Sequence, residues 1–360
     1  MFKSVLSLTL AAALGTASFG QTTLTAIPGE AAAAKYASIS QEILRAIEKG
    51  NEYLKSKQNP EGYWAQPSYP ALTALAVTAY MRDPANQGKP VPEYIRKGYD
   101  FILKSQKEDG SIFNRGMSSY NTAVCMMALL AANKEEYAPA ILKGRAYLIK
   151  QQNHFAPDNP YNGGIGYGDK QAPPIADLSN TSLALEAIYY SQKLAKDGKY
   201  GEQPDLDWNA ATEFINRCQQ NPAVNKEPWV SNDKSQLGGF VYRPGVSSAR
   251  DKKSAAFDKA EPPKAYGSMT YAGMQSLIYA NVDKNDPRVK LALKWLENSY
   301  SLDENPGMGV QGLYYYYQAM SKALSAMGID TLTLENGRKV DWRDELANKL
   351  ISIQKSDGSW

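Results

Sequence analysis

Few side chains in this 360-residue sequence can move protons or hold metals, and their scarcity narrows the chemistry open to it. The single histidine, His154, lies in a loop rich in Pro and Asn. The two cysteines, Cys125 and Cys218, sit on separate helix-patterned segments. A zinc centre needs three or four such ligands, so a metal site is hard to assemble, and no cofactor is expected. Asp177 opens the stretch DLSNTS (177–182) and is a weak catalytic candidate. Its simpler role is a helix N-terminal charge just before a Ser-Asn cap. Glu186 stands nearly alone as an acid on the apolar segments.

The 24 tyrosines are the larger resource. Tyr69, Tyr120, Tyr266, Tyr271 and the run Tyr314 to Tyr317 fall at or near the starts of apolar segments. Their faces can pack on an apolar chain or a cation, and their hydroxyls can orient a polar head. Tyr120, Asn180, Tyr266, Tyr271, Tyr314 and Tyr315 are therefore read as lining a ligand cavity; the competing reading is a core filled with rings. A helix points four consecutive tyrosines in several directions, so part of the run must be structural.

The elements that would position these groups follow from composition and period. Hydrophobic residues make up 43% and charged residues 21%, the balance of a folded chain. A net charge of +3 with mixed signs gives no reason to expect a nucleic acid partner. Residues 1–20 have a lysine, a short apolar run and small residues before Gln21, the pattern of a secretory signal. A secreted or periplasmic protein is expected, with residues 21–43 as a lead segment and no integral membrane segment in the mature chain. In that compartment the two cysteines are read as separate core thiols rather than a bridge.

Residues 44–360 carry a repeat. KGNEYLKSKQNPEGYW (49–64) is followed by KGYDFILKSQKEDGSI (97–112), then KGRAYLIKQQ (143–152) with GGIGY (163–167). AATEFINRCQ (210–219) finishes as GGFVY (238–242), ALKWLENSY (292–300) has Tyr300 where Gln should stand, and ANKLISIQKSDGSW closes at 360. Each copy is an amphipathic helix ended by turn residues. After each comes a segment apolar nearly all round, such as TALAVTAY (73–80), TAVCMMAL (122–129), TSLALEAI (181–188), TYAGMQSL (270–277) and LYYYYQAM (313–320). Such segments are buried on every side. Paired helices of this kind stack into a solenoid or a ring, and the lack of a polar face on the second helix favours a ring.

The Lys-Gly, aromatic-Leu, Gln, Gly-x-Trp order resembles the QW repeat of squalene and oxidosqualene cyclases, whose relatives include the protein prenyltransferases. Residues 49–64 match at every position. Residues 347–360 match at Gln354, Gly358 and Trp360 but carry Lys349 in place of the aromatic. The resemblance implies an all-α fold, an α/α toroid of about six helical hairpins. It also implies that Gln58, Gly62, Trp64, Gln106, Gly110, Gln152, Gln219, Gln354, Gly358 and Trp360 are structural, each Gln tying one outer helix to the next.

The same resemblance implies a proton-donating Asp at the middle of an Asp-x-Asp-Asp stretch. Here DLSNTS keeps Asp177 and Thr181 but places Ser179 and Asn180 at the second and third acids. A serine hydroxyl cannot protonate an alkene, so ordinary cyclisation is not expected. The zinc ligands of the prenyltransferases have no counterpart. The expectation is a toroid that binds or processes a hydrophobic, isoprenoid-like or other lipid ligand. The alternatives are a packed interaction module, or a polysaccharide-active enzyme using loop residues such as Asp169, Arg243 or Asp251. The repeat also predicts that the last unit is incomplete at Trp360, leaving the sixth outer helix without a partner for its apolar face.

Overall fold

The computed structural model describes residues 30–168, 175–249 and 262–360, with side chains from residue 39 onward. The signal and most of the lead segment lie outside them, as do Asp169 and Asp251. Among the described residues the helices are α1 (Glu30–Ser56), α2 (Pro70–Met81), α3 (Glu93–Lys104), α4 (Ser118–Ala132), α5 (Ala138–Lys150) and α6 (Leu178–Tyr190). They continue with a one-turn α7 (Gln192–Lys196), then α8 (Trp208–Arg217), α9 (Gly267–Tyr279), α10 (Pro287–Asn298), α11 (Leu313–Met327) and α12 (Trp342–Ile353). A small antiparallel hairpin, β1 (Thr331–Thr333) with β2 (Lys339–Asp341), precedes α12 and sets Thr331 opposite Asp341. The fold is all-α apart from this hairpin, and no described helix is long and apolar enough to cross a membrane.

Local chemistry sets the helix ends. Asp177, Asp207, Asp286 and Asp341 each accept a backbone N–H in the first turn of the helix that follows. Such caps satisfy donors that a helix leaves open, worth about 1 kcal/mol each. Prolines at the first turn of α2, α5 and α10 lack the N–H that would be idle there.

Five helices, α2, α4, α6, α9 and α11, are buried nearly all round and pack on one another in that order. The half-exposed helices α1, α3, α5, α8 and α10 pack on the buried helices that follow or precede them. The turn joining the two sets is built alike each time. Gln58 donates to the Gly62 carbonyl at 2.9 Å and to the Tyr94 carbonyl, at the start of α3, at 2.7 Å. Gln106 does the same to Gly110 and Ala140, Gln152 to Gly163 and Asp207, and Gln219 to Gly238 and Arg288. The threonine heading each buried segment then accepts the N–H that follows the glycine turn: Thr73 from Trp64, Thr122 from Ile112, Thr181 from Ile165 and Thr270 from Phe240.

The glycines are required by close approach. A Cβ on Gly163, at φ +82°, would lie 1.9 Å from the Ala210 carbonyl oxygen, and on Gly110, at φ +90°, 2.1 Å from that of Lys143. The Gly of the second and third Lys-Gly pairs opens the opposite flank of the same helix: a Cβ on Gly98 would meet Val77 at 2.6 Å and one on Gly144 would meet Met126 at 2.9 Å. Repeated letters thus mark both faces of one helix seam.

The last copy corrects an expectation. The sixth outer helix, α12, is not left without a partner. It packs on α1 and buries Trp342, Leu346, Ala347 and Leu350. Gln354 donates to the Ala46 carbonyl at 2.8 Å, and a Cβ on Gly358 would meet the Lys49 carbonyl oxygen at 2.3 Å. Trp360 donates to Leu350 as Trp64 donates to Leu54. Burial of a large apolar side chain contributes about 1.5–3 kcal/mol, so four inward residues outweigh any single tie. In the fifth copy Tyr300 reaches Glu345 of α12 at 3.1 Å, replacing the glutamine. Lys349, the misfit in the last copy, pairs with Asp303 at 2.6 Å. The succession of ties therefore returns to the helix where it began.

Candidate functional site

The N-terminal ends of α6, α9 and α11 bring Asp177, Tyr266 and Tyr315 into one neighbourhood. Asp177 is itself the cap of α6. One carboxylate oxygen accepts the Asn180 N–H at 2.8 Å and the other accepts the Asn180 side-chain amide at 2.7 Å. Burial raises its pKa to about 6, partly offset by the Asn180 bonds, by Tyr242 and by the nearby Arg243 charge. The Tyr242 hydroxyl also has the Tyr167 hydroxyl within 3.3 Å, so its one proton serves either the carboxylate or Tyr167. Leu178 N–H donates to the Tyr242 carbonyl at 2.8 Å and pins this loop to the helix start. Burial also raises the pKa of Tyr266, with Tyr315 and Asp177 adding to the rise. The amide orientation of Asn180 is fixed by its carboxylate partner, and its Oδ1 is buried with no hydrogen-bond partner.

Tyr315 meets Ser179 across this neighbourhood, hydroxyl to hydroxyl, at 3.2 Å. Burial pushes the phenol of Tyr120, on α4, up to about 12, with Cys125 and Tyr167 adding to the rise, and its proximity to Tyr315 places it in the same group. Tyr120 and Tyr315 are enclosed by protein, yet both keep part of their rings accessible. Residual exposure continues down the same helices at helical spacing. On α4 it falls at Tyr120, Val124 and Met127, on α6 at Ser179 and Leu183, and on α11 at Tyr315, Gln318 and Lys322. Residues three, four and seven apart share a helix face. The residual exposure of Tyr120, Ser179 and Tyr315 thus continues along one stripe of each helix.

Two turns below Tyr315, Lys322 pairs with Glu186 at 2.8 Å, with side chains 14% and 5% exposed. Among the five buried helices these are the only two charged residues, and they meet each other. Tyr190 and Tyr279 lie close enough for the Glu186 charge to raise their pKa values further, after burial itself.

The other tyrosine candidates go elsewhere. Tyr271 is fully buried, its ring 5.6 Å from that of Tyr316. Tyr314 packs edge-on against Tyr317 at 6.1 Å. Tyr316 donates to the Ser301 carbonyl at 2.9 Å and Tyr317 to that of Leu302. Of the four-tyrosine run, Tyr315 alone joins the group around Asp177. Sequence reasoning missed Tyr167, Tyr242 and Lys322, and it read Ser179 only as the replacement of an acid. Lys322 had a readable signal, a lone cation in a helix otherwise without charge, matching the lone Glu186. Tyr167 and Tyr242 had one too, as the shared last residue of GGIGY and GGFVY, which in sequence reads only as a turn.

Cys125 and Cys218 are both buried and free, as the sequence led us to expect. Burial raises both thiols, and Asp177 adds to the rise at Cys218. They are poor nucleophiles in that state. Among the described residues no group of three or more His, Cys, Asp or Glu could hold a metal ion. An open groove of about 700 Å³ lies on the outer surface between α3 and the loop after α4, lined by residues such as Glu93, Arg96, Lys134 and Tyr137. It shares no residue with the tyrosine group. No protein-family model matches the sequence.

Proposed function

We propose that the chain is a secreted α/α toroid of the terpenoid cyclase type, with residues 1–20 as its export signal, and that its axis holds an apolar, isoprenoid-like ligand. The observation that carries this reading is the stripe of residual exposure along the largely buried helices, topped by Tyr120, Ser179 and Tyr315. Aromatic and aliphatic walls with a few convergent polar groups are the usual make-up of a small-molecule site. The ring geometry is supported by the ties that pass from each outer helix to the next and from α12 back to α1.

Binding, rather than cyclisation, fits the polar groups. Ser179 occupies the place of the acid in the cyclases and offers a hydroxyl already engaged by Tyr315. Asp177 has a raised pKa, but both of its oxygens hold Asn180 and so cap the helix. A native mass spectrum of the protein from its own source tests the reading. A retained mass matching a polyisoprenoid or a similar apolar molecule supports it, and a bare chain under conditions that keep the fold intact opposes it. A bare chain would favour a packed interaction module instead, for which the two links across the axis, Ser179 to Tyr315 and Glu186 to Lys322, give specific support.

A further inference from the structure

This inference rests on the ligand reading above and concerns what sets the ligand's length. Both links across the axis join α6 to α11, although α9 packs between those helices. They keep a common register, since Glu186 lies seven residues after Ser179 and Lys322 lies seven after Tyr315. Between them lie Leu183 on α6 and Gln318 on α11, both with residual exposure. Side chains of the same two helices therefore meet at two levels, two helical turns apart.

The two contacts differ in strength. Ser179 and Tyr315 share one neutral contact at 3.2 Å, and either hydroxyl can turn to water or to a ligand head. Separating Glu186 from Lys322 would instead leave two charges in a closed, largely apolar interior, which is far more costly. We propose that Glu186 and Lys322 form the fixed floor of the recess and determine the length of ligand it accepts, while the Ser179–Tyr315 contact is the one a ligand parts on entry.

Seven residues of helix span about 10 Å. An extended chain advances about 1.2 Å per bond, so that depth holds about eight chain carbons, close to two prenyl units. Longer chains meet the ion pair. Their leading methyl groups would have to sit against, or displace, a paired carboxylate and ammonium.

The test is a calorimetric titration of all-trans prenyl alcohols, from two prenyl units upward, into the wild-type chain and into the paired variant Glu186→Leu with Lys322→Leu. Both charges are removed together so that neither is left alone. The wild type is expected to bind the two-unit alcohol and to lose about tenfold or more in affinity for chains beyond that length, whereas the paired variant accepts the longer chains. If the paired variant fails to fold by circular dichroism, Glu186→Gln with Lys322→Met, closer in shape, carries the same comparison. A wild type that binds none of the alcohols sinks the ligand reading itself. A wild type that binds them with a length limit unchanged in the paired variant leaves that reading standing and overturns the floor.

Discussion

The seams between successive helices, the rim of the proposed ring, and the facing sides of the buried helices, its proposed axis, are built on opposite plans. At the rim the same parts recur: a glutamine reaching the next helix, a glycine pressed on its backbone, a threonine receiving the following N–H. Along the axis the charged groups do not recur. Asp177 and Glu186 occupy positions whose counterparts in the sister units hold other residues, and Lys322 is the one cation on the five buried helices, although Ser179 shares its place with Ser268. Repetition suits a job done once per unit, joining one helix to the next. A single set of chemically distinct residues suits a job done once per molecule. The difference separates residues that close the fold from those that shape its interior.

The comparison is broken most severely by unbalancing the axis. Lys322→Met strands Glu186 in the interior, and the loss of stability should reach about 3–5 kcal/mol in urea unfolding. A loss below about 1 kcal/mol would mean that water reaches the pair freely. At the rim, Gly163→Ala sets a Cβ 1.9 Å from a backbone oxygen at φ +82° and should cost about 2–4 kcal/mol. Gly198→Ala is the control, because φ is +73° there but no atom lies within 4 Å; only the strain of about 1–2 kcal/mol should be seen. Equal effects at the two glycines would remove the argument from close approach.

Acidity sharpens the contrast at Asp177. Its folded pKa of about 6 lies above the ordinary 3.8, so the fold favours the protonated acid. The stabilisation is complete below pH 3.8 and is lost as pH rises through 6. The shift corresponds to roughly 2–3 kcal/mol. Unfolding free energy measured from pH 4 to pH 7 should fall by about that much in the wild type relative to Asp177→Asn. Parallel curves would place the carboxylate in a solvated setting. Gln106→Ala is expected to cost about 1–3 kcal/mol for carbonyls of Gly110 and Ala140 left without their donor. A larger loss from this one tie would mean that the rim closes cooperatively.

How much was legible follows the same division. Gln58, Gly62 and Trp64 announced the rim because a repeated structural demand leaves a repeated letter, and the buried helices showed in their lack of a polar face. Closure of α12 on α1 was not legible, since the sequence pairs neighbours and says nothing of contacts between residues 46 and 354. At the axis, Tyr315 and Tyr120 were found through type and position. Their separation from Tyr314 and Tyr271 was not, because one residue along a helix turns the side chain by 100° and only packing reveals which direction is inward. Lys322 was readable in principle as the one cation facing the one acid. Tyr167 and Tyr242 hold the same place in GGIGY and GGFVY, but the contact between them depends on how the loops fold back, which the repeat does not give.

The most direct test of an open axis is a crystal structure under xenon pressure, since xenon settles in apolar cavities closed to water. A xenon peak between Leu183 and Gln318, above the Glu186–Lys322 pair and below the Ser179–Tyr315 contact, is the predicted result. A well-ordered crystal with no xenon on the axis, and side chains filling the space between those two links, would contradict the account.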